Sequence, residues 1–420
     1  MKTKTIKDCW CYYPFDGMTI DPTGKVQPCP MWSNHPGHTI MEMSTAKDMT
    51  APEVFNSKRL NEIRKTMLSG KEVDSCHSCY RNEERGFKSR RQRKIVAELG
   101  KTELTNTIAI QHKPRLKHIE LNFSNTCNLA CAMCNRTHSS GWMQQDKLMP
   151  PSLENKISSI YKAIGTPREN FKPYALSDKF VQSIVDNILE YKSILIKGGE
   201  PLYDKRCIAF LHKVADLHPT VKTVIVSNIT TLTPRMIDTL SKLKNLELNF
   251  SIDGIGSIYN WIRGFDWNEV DKNFKTLMQL GNVSIDVNVT VSLWNIHLLA
   301  DMIKHFSQFR PASKRYFMSF HVVYEPWMHC SLSDDELKNH FLNDIKPEME
   351  QWTFDKHRHM GFHQSDIDNL ERHIQSSDLR YGTRQEMTTL AKEWITWLNS
   401  VRNMKLEDEA PHIRRLLING

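Results

Sequence analysis

From His118 onward, apolar residues gather in short β-rich runs separated by longer stretches with helical spacing. The runs are His118–Phe123, Ser193–Ile196, Thr223–Val226, Leu246–Ser251, Ser284–Val291 and Tyr316–Tyr324. Between most of them, apolar positions recur every three to four residues, over 177–190, 205–217, 234–243, 268–280 and 297–309. Short β-rich runs predict strands, and a period near 3.6 sustained over ten or more residues predicts helices. Strands alternating with helices form parallel βαβ units, because a parallel pair needs a long crossover. Six such units predict an α/β protein whose centre is a partial (β/α)6 TIM-type barrel, two units short of the full one. The stretch 136–176 exceeds a simple crossover and is expected to carry extra elements.

The flanks read differently. Residues 1–95 are rich in cysteine and hold turn signals such as Asp21-Pro22-Thr23-Gly24, with a helix expected over 55–69 from Phe55, Leu60, Ile63 and Met67. Residues 331–420 read as helical, with Leu390, Trp394, Trp397 and Leu398 on one helical face. The expected organisation is a small N-terminal cysteine-rich domain (1–95), a linker (96–117), the barrel (118–330) and a helical C-terminal region (331–420). No apolar run approaches the roughly 20 residues that span a bilayer. Met1-Lys2-Thr3-Lys4 leads into Asp8 and Cys9 without the apolar stretch of a secretory signal. A cytoplasmic protein with no membrane partner is expected.

Composition narrows the picture only slightly. With 40% apolar and 25% charged residues over 420 positions, the chain has material for a large core and is not a disordered one. Its net charge of +8 is compatible with an acidic partner without demanding one. The densest basic stretch, Arg85 to Lys94, has only Phe87 as an aromatic. It is expected to be a solvated face, so nucleic acid is disfavoured as a partner.

The ten cysteines, at 9, 11, 29, 76, 79, 127, 131, 134, 207 and 330, change the picture more. In a reducing compartment, clustered cysteines mean metal or redox chemistry rather than disulfides. The sharpest pattern is Cys127-Asn-Leu-Ala-Cys131-Ala-Met-Cys134, directly after the first barrel strand. That is where a barrel places its active-site loops. Three thiolates can hold three irons of a [4Fe–4S] cluster and leave the fourth without a protein ligand. An open coordination position separates a catalytic centre from a closed structural one. Taken alone, the three cysteines also allow a zinc knuckle or buried thiols.

In this position the C-x3-C-x2-C spacing resembles the radical S-adenosylmethionine (SAM) superfamily. The resemblance implies that SAM chelates the open iron, that one electron splits its sulfonium, and that a 5′-deoxyadenosyl radical then removes a hydrogen atom from substrate. Met133 stands where the family often has an aromatic residue, and is expected near the adenine. Gly198-Gly199-Glu200-Pro201, closing the second strand, resembles the GGEP motif that binds the SAM amino group. The glycines would let backbone approach the ligand, and Glu200 would accept from the ammonium. Ser227-Asn228 ends the third strand. Ser251-Ile-Asp253-Gly254 ends the fourth and resembles a motif of peptide-modifying members, with Arg263 following. The resemblance implies that Ser251 and Arg263 contact the ribose or carboxylate of SAM. Asn288 and Thr290 are weaker candidates, and no residue is singled out as a catalytic acid, base or hydrogen-atom donor.

Further upstream, Cys11 is followed by twelve residues, Gly24, four residues and Cys29, and later by Cys76-His-Ser-Cys79. With Cys11-Tyr-Tyr-Pro-Phe15, Asp21-Pro-Thr-Gly-Lys-Val26 and Cys79-Tyr-Arg-Asn-Glu83, this resembles the Twitch domain, a shorter relative of the SPASM domain. Here it precedes the barrel, whereas the commoner order places it behind. The resemblance covers roughly 9–330. It implies a second, auxiliary iron–sulfur cluster, [4Fe–4S] or [2Fe–2S], on Cys11, Cys29, Cys76 and Cys79. A structural zinc on the same thiolates is the alternative, with Cys9 as a less apt substitute ligand.

A cluster closed by four protein ligands suits electron transfer and hence a net oxidation. The leading expectation is an oxidative peptide or protein modification, fed by an electron donor such as flavodoxin or ferredoxin. Dehydrogenation of a sugar alcohol or other small metabolite is the alternative. A zinc-structured RNA-binding protein is the alternative of another class, which leaves the ordered strand-end motifs unexplained. Cys207 is expected to be a buried apolar residue, Cys330 a minor candidate near the substrate, and His357, His359, His363 and His373 solvated rather than metal-binding.

Overall fold

The structure, a computed structural model, describes residues 4–32, 39–163, 172–310, 316–353, 360–377 and 381–419. Nine strands form one sheet: β1 Gly17–Ile20, β2 Lys25–Gln27, β3 Met41–Glu42, β4 His118–Asn122, β5 Ser193–Lys197, β6 Lys222–Ser227, β7 Leu246–Ser251, β8 Val283–Val291 and β9 Tyr316–Val322. Their order is β3-β2-β1-β4-β5-β6-β7-β8-β9. All six strands expected for the barrel are present as β4 to β9, and β4–β5, β7–β8 and β8–β9 pair in parallel. This mixed α/β architecture, with a mostly parallel sheet, fits the expected partial barrel.

The crossover helices are Asp178–Asp186, Lys205–Leu217, Pro234–Lys242, Trp267–Met278 and Leu299–Ser307. Several begin at capping side chains the sequence spells out. Ser177 accepts from the Phe180 N–H, and Thr233 from the Met236 N–H with Pro234 in the first turn. Such caps satisfy amide groups that a helix start leaves open. The long stretch after β4 holds the helices Ser140–Gln145 and Pro151–Ala163.

The chain divides into two compact units. One comprises Met1–Ser124, Lys172–Gly198 and Ala209–Val224; the other comprises Asn125–Phe171, Gly199–Ile208 and Ile225–Gly420. In the first unit, the N-terminal hairpin does not stand apart from the sheet. β1 pairs in parallel with β4, Met18 opposite Ile119, and β2 pairs antiparallel with β1. Trp10, Phe15, Met18, Ile20, Val26, Ile119 and Leu121 are buried there. The end of helix Arg90–Leu99 and the helix Asn106–Gln111 fall within the stretch read as a linker.

In the second unit, period-two alternation sorts β7 and β8 into two faces. Leu246, Leu248, Phe250, Val283, Ile285, Val287 and Val289 are almost fully buried on one. Each such side chain stabilises the fold by about 1.5–3 kcal/mol. Glu247, Asn249, Ser251, Ser284, Asp286, Asn288 and Thr290 share the other face, with Asn249 opposite Asp286 and Ser251 opposite Asn288. The C-terminal region is helical, as expected. The helix Arg384–Arg402 buries Leu390, Trp394, Trp397 and Leu398. Trp394 stacks on Trp142 at 5.6 Å and meets Trp397 at 5.2 Å and Trp327 at 5.9 Å. No described helix is long and apolar enough to cross a membrane.

Candidate cluster and cofactor sites

In the second unit, the three-cysteine loop is held by contacts that leave its thiols free. The Ser140 N–H donates to the Asn125 carbonyl at 2.7 Å, and the Cys127 N–H donates to Ser140 Oγ at 3.0 Å. Trp142 Nε1 donates to the Cys131 carbonyl at 2.9 Å, and the Ala132 N–H to the Ile262 carbonyl at 2.6 Å. A Cβ on Gly141 would lie 2.5 Å from the Leu129 carbonyl oxygen, so only glycine lets this turn close. Cys127, Cys131 and Cys134 are half-buried free cysteines. Burial pushes the Cys127 thiol up to about 12, and burial with neighbouring thiols pushes Cys134 well up. Thiols so placed lose their protons only to a cation strong enough to offset the burial, which is what a metal centre provides.

Donors already aim at two of the sulfurs. Cys127 Sγ accepts from the Leu129 N–H at 3.5 Å and faces Asn228 Nδ2 at 3.9 Å. Arg263 Nη1 reaches Cys131 Sγ at 3.5 Å. Met133 is half-buried and packs against the tryptophan core of this unit.

The Gly-Gly-Glu-Pro turn is conformationally committed. Gly198 and Gly199 have φ of +82° and +56°. A Cβ on Gly199 would lie 2.2 Å from the Thr126 carbonyl oxygen, just ahead of the cysteine loop. Glu200 is 1% exposed, and its N–H donates to the Thr126 carbonyl at 2.8 Å. Its carboxylate accepts from Ser227 Oγ at 2.6 Å, the Asn228 N–H at 2.6 Å and the Leu202 N–H at 2.9 Å. Glu200 therefore ties the turn to the end of β6. Three of its roughly four acceptor positions are in use, which leaves room for one further donor. Pro201 follows directly and is buried.

Arg263 and Asp253 form a buried ion pair, Nη2 to Oδ2 at 2.6 Å, and Asp253 Oδ1 also accepts from the Thr290 N–H at 2.8 Å. Sequence reasoning found both residues without finding that they pair. Arg263 Nε and the Tyr259 hydroxyl are buried here without a hydrogen-bond partner. Orphaned donors beside half-buried thiols fit a group rich in acceptors, such as a carboxylate or the sulfides of a cluster. Ser251 and Asn288 lie side by side on the polar face.

In the first unit, one cavity is lined by Cys11, Cys29, Cys76 and Cys79 together, with Tyr13, Met67, Arg90 and Arg91. The pattern read across 69 residues of sequence thus closes on one point in space. Cys11 precedes the helix Tyr12–Asp16, and Cys76 and Cys79 sit three residues apart at the start of the helix His77–Glu84. Burial pushes the Cys11 and Cys29 thiols up to about 12, with Cys29 and Cys79 adding to the rise at Cys11 and Cys79 to that at Cys29. Gly24, with φ of +82°, makes the turn between β1 and β2, where a Cβ would lie 2.9 Å from the Tyr174 ring.

The basic stretch 85–94 is solvated except at the cavity. Ser89 accepts from the Gln92 N–H and starts the helix Arg90–Leu99. That start turns Arg91 inward, where it is 7% exposed. Arg91 donates to the Trp10 carbonyl at 2.8 Å and the Lys7 carbonyl at 3.2 Å, and pairs with Glu83. Arg90 Nε donates to the Tyr13 hydroxyl at 3.0 Å. The sequence predicts a solvated face over this stretch, and the inward turn of Arg91 is not foreseen in it.

The discounted residues fall as follows. Cys9, Cys207 and Cys330 are fully buried, and Cys9 does not line the cavity. His373 Nδ1 lies 3.0 Å from His329 Nε2. His357 and His359 lie outside the described residues. Among the described residues, no three His, Cys, Asp or Glu side chains converge to hold a single metal ion. Zinc asks for ligands within about 2.3 Å of one point, whereas each cysteine of an iron–sulfur cluster reaches its own iron.

Sequence reasoning missed Asp286 altogether. It is 7% exposed on the polar face of β8, and its two oxygens accept from Ser319 Oγ at 3.0 and 2.9 Å. Burial raises its pKa to about 7, against the Ser319 hydrogen bond and helped by Glu247 and Asp366. The folded chain therefore keeps a proton that the unfolded chain releases between about pH 4 and 7, so this residue costs stability as pH rises through that window. Asp286→Asn is expected to raise the melting temperature at pH 8, by the equivalent of up to about 4 kcal/mol, and to leave it unchanged near pH 4. Equal shifts at both pH values would show that the carboxyl is not held neutral.

Residues 121–305 match the family model of the radical SAM superfamily, and residues 9–80 match that of an iron–sulfur cluster-binding domain, SPASM. No curated protein matches this chain. Among solved structures, the chain is similar to polyhistidine-tagged anSMEcpe with bound AdoMet, at 17% identity and a TM-score of 0.38, covering 57% of this chain and 58% of that one. It is also similar to Streptococcus suis SuiB bound to S-adenosylmethionine, at 13% identity and a TM-score of 0.34, covering 69% and 60%. The chain thus spans about three-fifths of the length of these structures. The first family match implies a [4Fe–4S] cluster with SAM, and the second supports an auxiliary cluster.

Proposed function

We propose, from the matches to the radical SAM and SPASM family models, that this protein is a radical SAM enzyme that oxidatively modifies a peptide or protein. The observation that carries the reading is the pair of unlike cysteine sites, a three-thiol loop in one unit and a four-cysteine cavity in the other. In this reading Cys127, Cys131 and Cys134 hold the [4Fe–4S] cluster. Cys11, Cys29, Cys76 and Cys79 hold a Twitch-type auxiliary cluster. When bound, the first cluster with SAM supplies a 5′-deoxyadenosyl radical on one-electron reduction, with flavodoxin or ferredoxin as the donor class.

The chain's own residues supply the rest. Gly198 and Gly199 clear room along the turn, and Glu200 fixes Ser227 and Asn228 while offering one acceptor position to an ammonium. Arg263 offers its orphaned Nε to an acceptor, and Asp253 offsets its charge. Ser251 lies beside Asn288 on the polar face, at the end of the Ser-Ile-Asp-Gly segment that favours a peptide substrate. The density of polar groups on that face, Glu247, Asn249, Asp286 and Ser319, supports a second reading, dehydrogenation of a sugar alcohol or other small metabolite.

Anaerobic reconstitution tests the proposal. With SAM and dithionite, the protein is expected to bind about eight irons and to form 5′-deoxyadenosine, read by mass spectrometry. About four irons with product would remove the auxiliary cluster and the argument for oxidation. Bound zinc with neither iron nor product would remove the enzyme reading.

A further inference from the structure

The radical SAM match ends at residue 305, and nothing in it accounts for the C-terminal helices. One of them enters the cysteine loop. The helix Arg384–Arg402 ends at Asn403 in the left-handed conformation. Arg402, its last residue, donates from Nη2 to the Ala130 carbonyl at 2.5 Å, between Cys127 and Cys131. Its guanidinium crosses Gly264, the left-handed cap of the helix Gly256–Arg263. A Cβ on Gly264 would lie 1.6 Å from Arg402 Nη1 and 2.5 Å from its Cζ. The guanidinium of Arg402 therefore lies against both the loop backbone and Gly264.

The charge of Arg402 is the unusual part. A guanidinium stays protonated in any protein environment, so burying one without an anion is costly. Arg263 has Asp253 at 2.6 Å. Arg402 has no carboxylate partner among the described residues, its Nε is buried without a hydrogen bond, and its side chain donates to the Ala130 carbonyl, next to Cys131. A [4Fe–4S] core of charge 2+ on three thiolates carries a net charge of −1, and one-electron reduction makes it −2. A fixed cation bound to the loop segment between Cys127 and Cys131 would favour the more negative state.

We propose that Arg402 is a positioning residue of the SAM cluster, holding the Cys127–Cys131 segment through Ala130 and supplying positive charge that favours the cluster's reduced state. The proposal rests on the radical SAM reading above. It gives the C-terminal region a task in cofactor chemistry that neither family match assigns.

The test is an EPR-monitored redox titration of the reconstituted full chain, with the auxiliary cluster as internal reference, on wild type, Arg402→Gln and Arg402→Lys. In Arg402→Gln the reduced fraction of the SAM cluster at a fixed potential is expected to fall about tenfold, which for a one-electron couple is about 59 mV. 5′-Deoxyadenosine formation at limiting reductant should fall in parallel. Arg402→Lys keeps the charge and should stay near wild type, and the auxiliary potential should not move in either variant. An unchanged SAM-cluster potential in Arg402→Gln, with iron retained, overturns the proposal. Should Arg402→Gln lose iron at this site, Arg402→Lys decides: iron and potential retained support the role of charge, and iron lost overturns it. A wild-type protein without a cluster signal or 5′-deoxyadenosine fails at the earlier step and takes the radical SAM reading with it.

Discussion

Replacing Cys127, Cys131 and Cys134 together with alanine is expected to reduce 5′-deoxyadenosine formation to background and to remove about four of roughly eight irons. The effect is expected to be total because the variant removes all three thiols of the loop at once. It should not come from unfolding. Ser140, Trp142 and Ile262 hold the loop through backbone groups and do not use the thiols. Circular dichroism and gel filtration should therefore match wild type while the product disappears. Product persisting in a variant that has lost this iron would show that the chemistry lies elsewhere, and the assignment of the loop would fall.

The second large effect belongs to the other unit. Cys76→Ala with Cys79→Ala should remove the remaining irons and abolish the auxiliary signal, yet leave substrate-free SAM cleavage close to wild type. The two thiols line the same cavity as Cys11, Cys29 and the buried Arg91. Binding at such a site is itself folding free energy. Its loss should cost unit one about 3 kcal/mol or more, roughly 6–12 °C in melting temperature. Proteolysis should then begin in that unit, near the helix His77–Glu84. A variant that retains all its iron would point to Cys9 or another group as ligand. One that stops cleaving SAM would show that the two clusters depend on each other for assembly.

Much of the architecture was readable because it is written locally. The helix Lys205–Leu217 appears over the residues its spacing predicts, and the strand Leu246–Ser251 likewise. In both, the period of apolar positions reports directly on which side is buried. The place of the N-terminal hairpin was not readable. β1 joins β4 through backbone hydrogen bonds between residues about a hundred positions apart, and backbone groups are identical in every residue. A short cysteine-rich segment therefore reads as a separate domain even where it extends the main sheet.

The candidate sites divide along the same line. Spacing drew attention to the three-cysteine loop, and resemblance to family motifs singled out the glycine-rich turn and the four distant cysteines, because close ligand spacing and positive-φ turns need particular residues at particular intervals. The roles of charged side chains were decided only in three dimensions. Resemblance singled out Arg263 as an expected SAM contact, but its pairing with Asp253 depends on where two strand-end loops meet. Arg91 looked like one of several solvated cations until the helix start turned it inward onto Glu83. Asp286 and Arg402 left no sequence signal, since an aspartate on an alternating strand and an arginine at a helix end are both ordinary. By itself the sequence determined the order of elements and the cysteine framework, which are set by short-range periodicity and ligand spacing. The tertiary structure alone decided which charges are buried and what they face, because desolvation and Coulomb energy depend on distances in space that chain position does not encode.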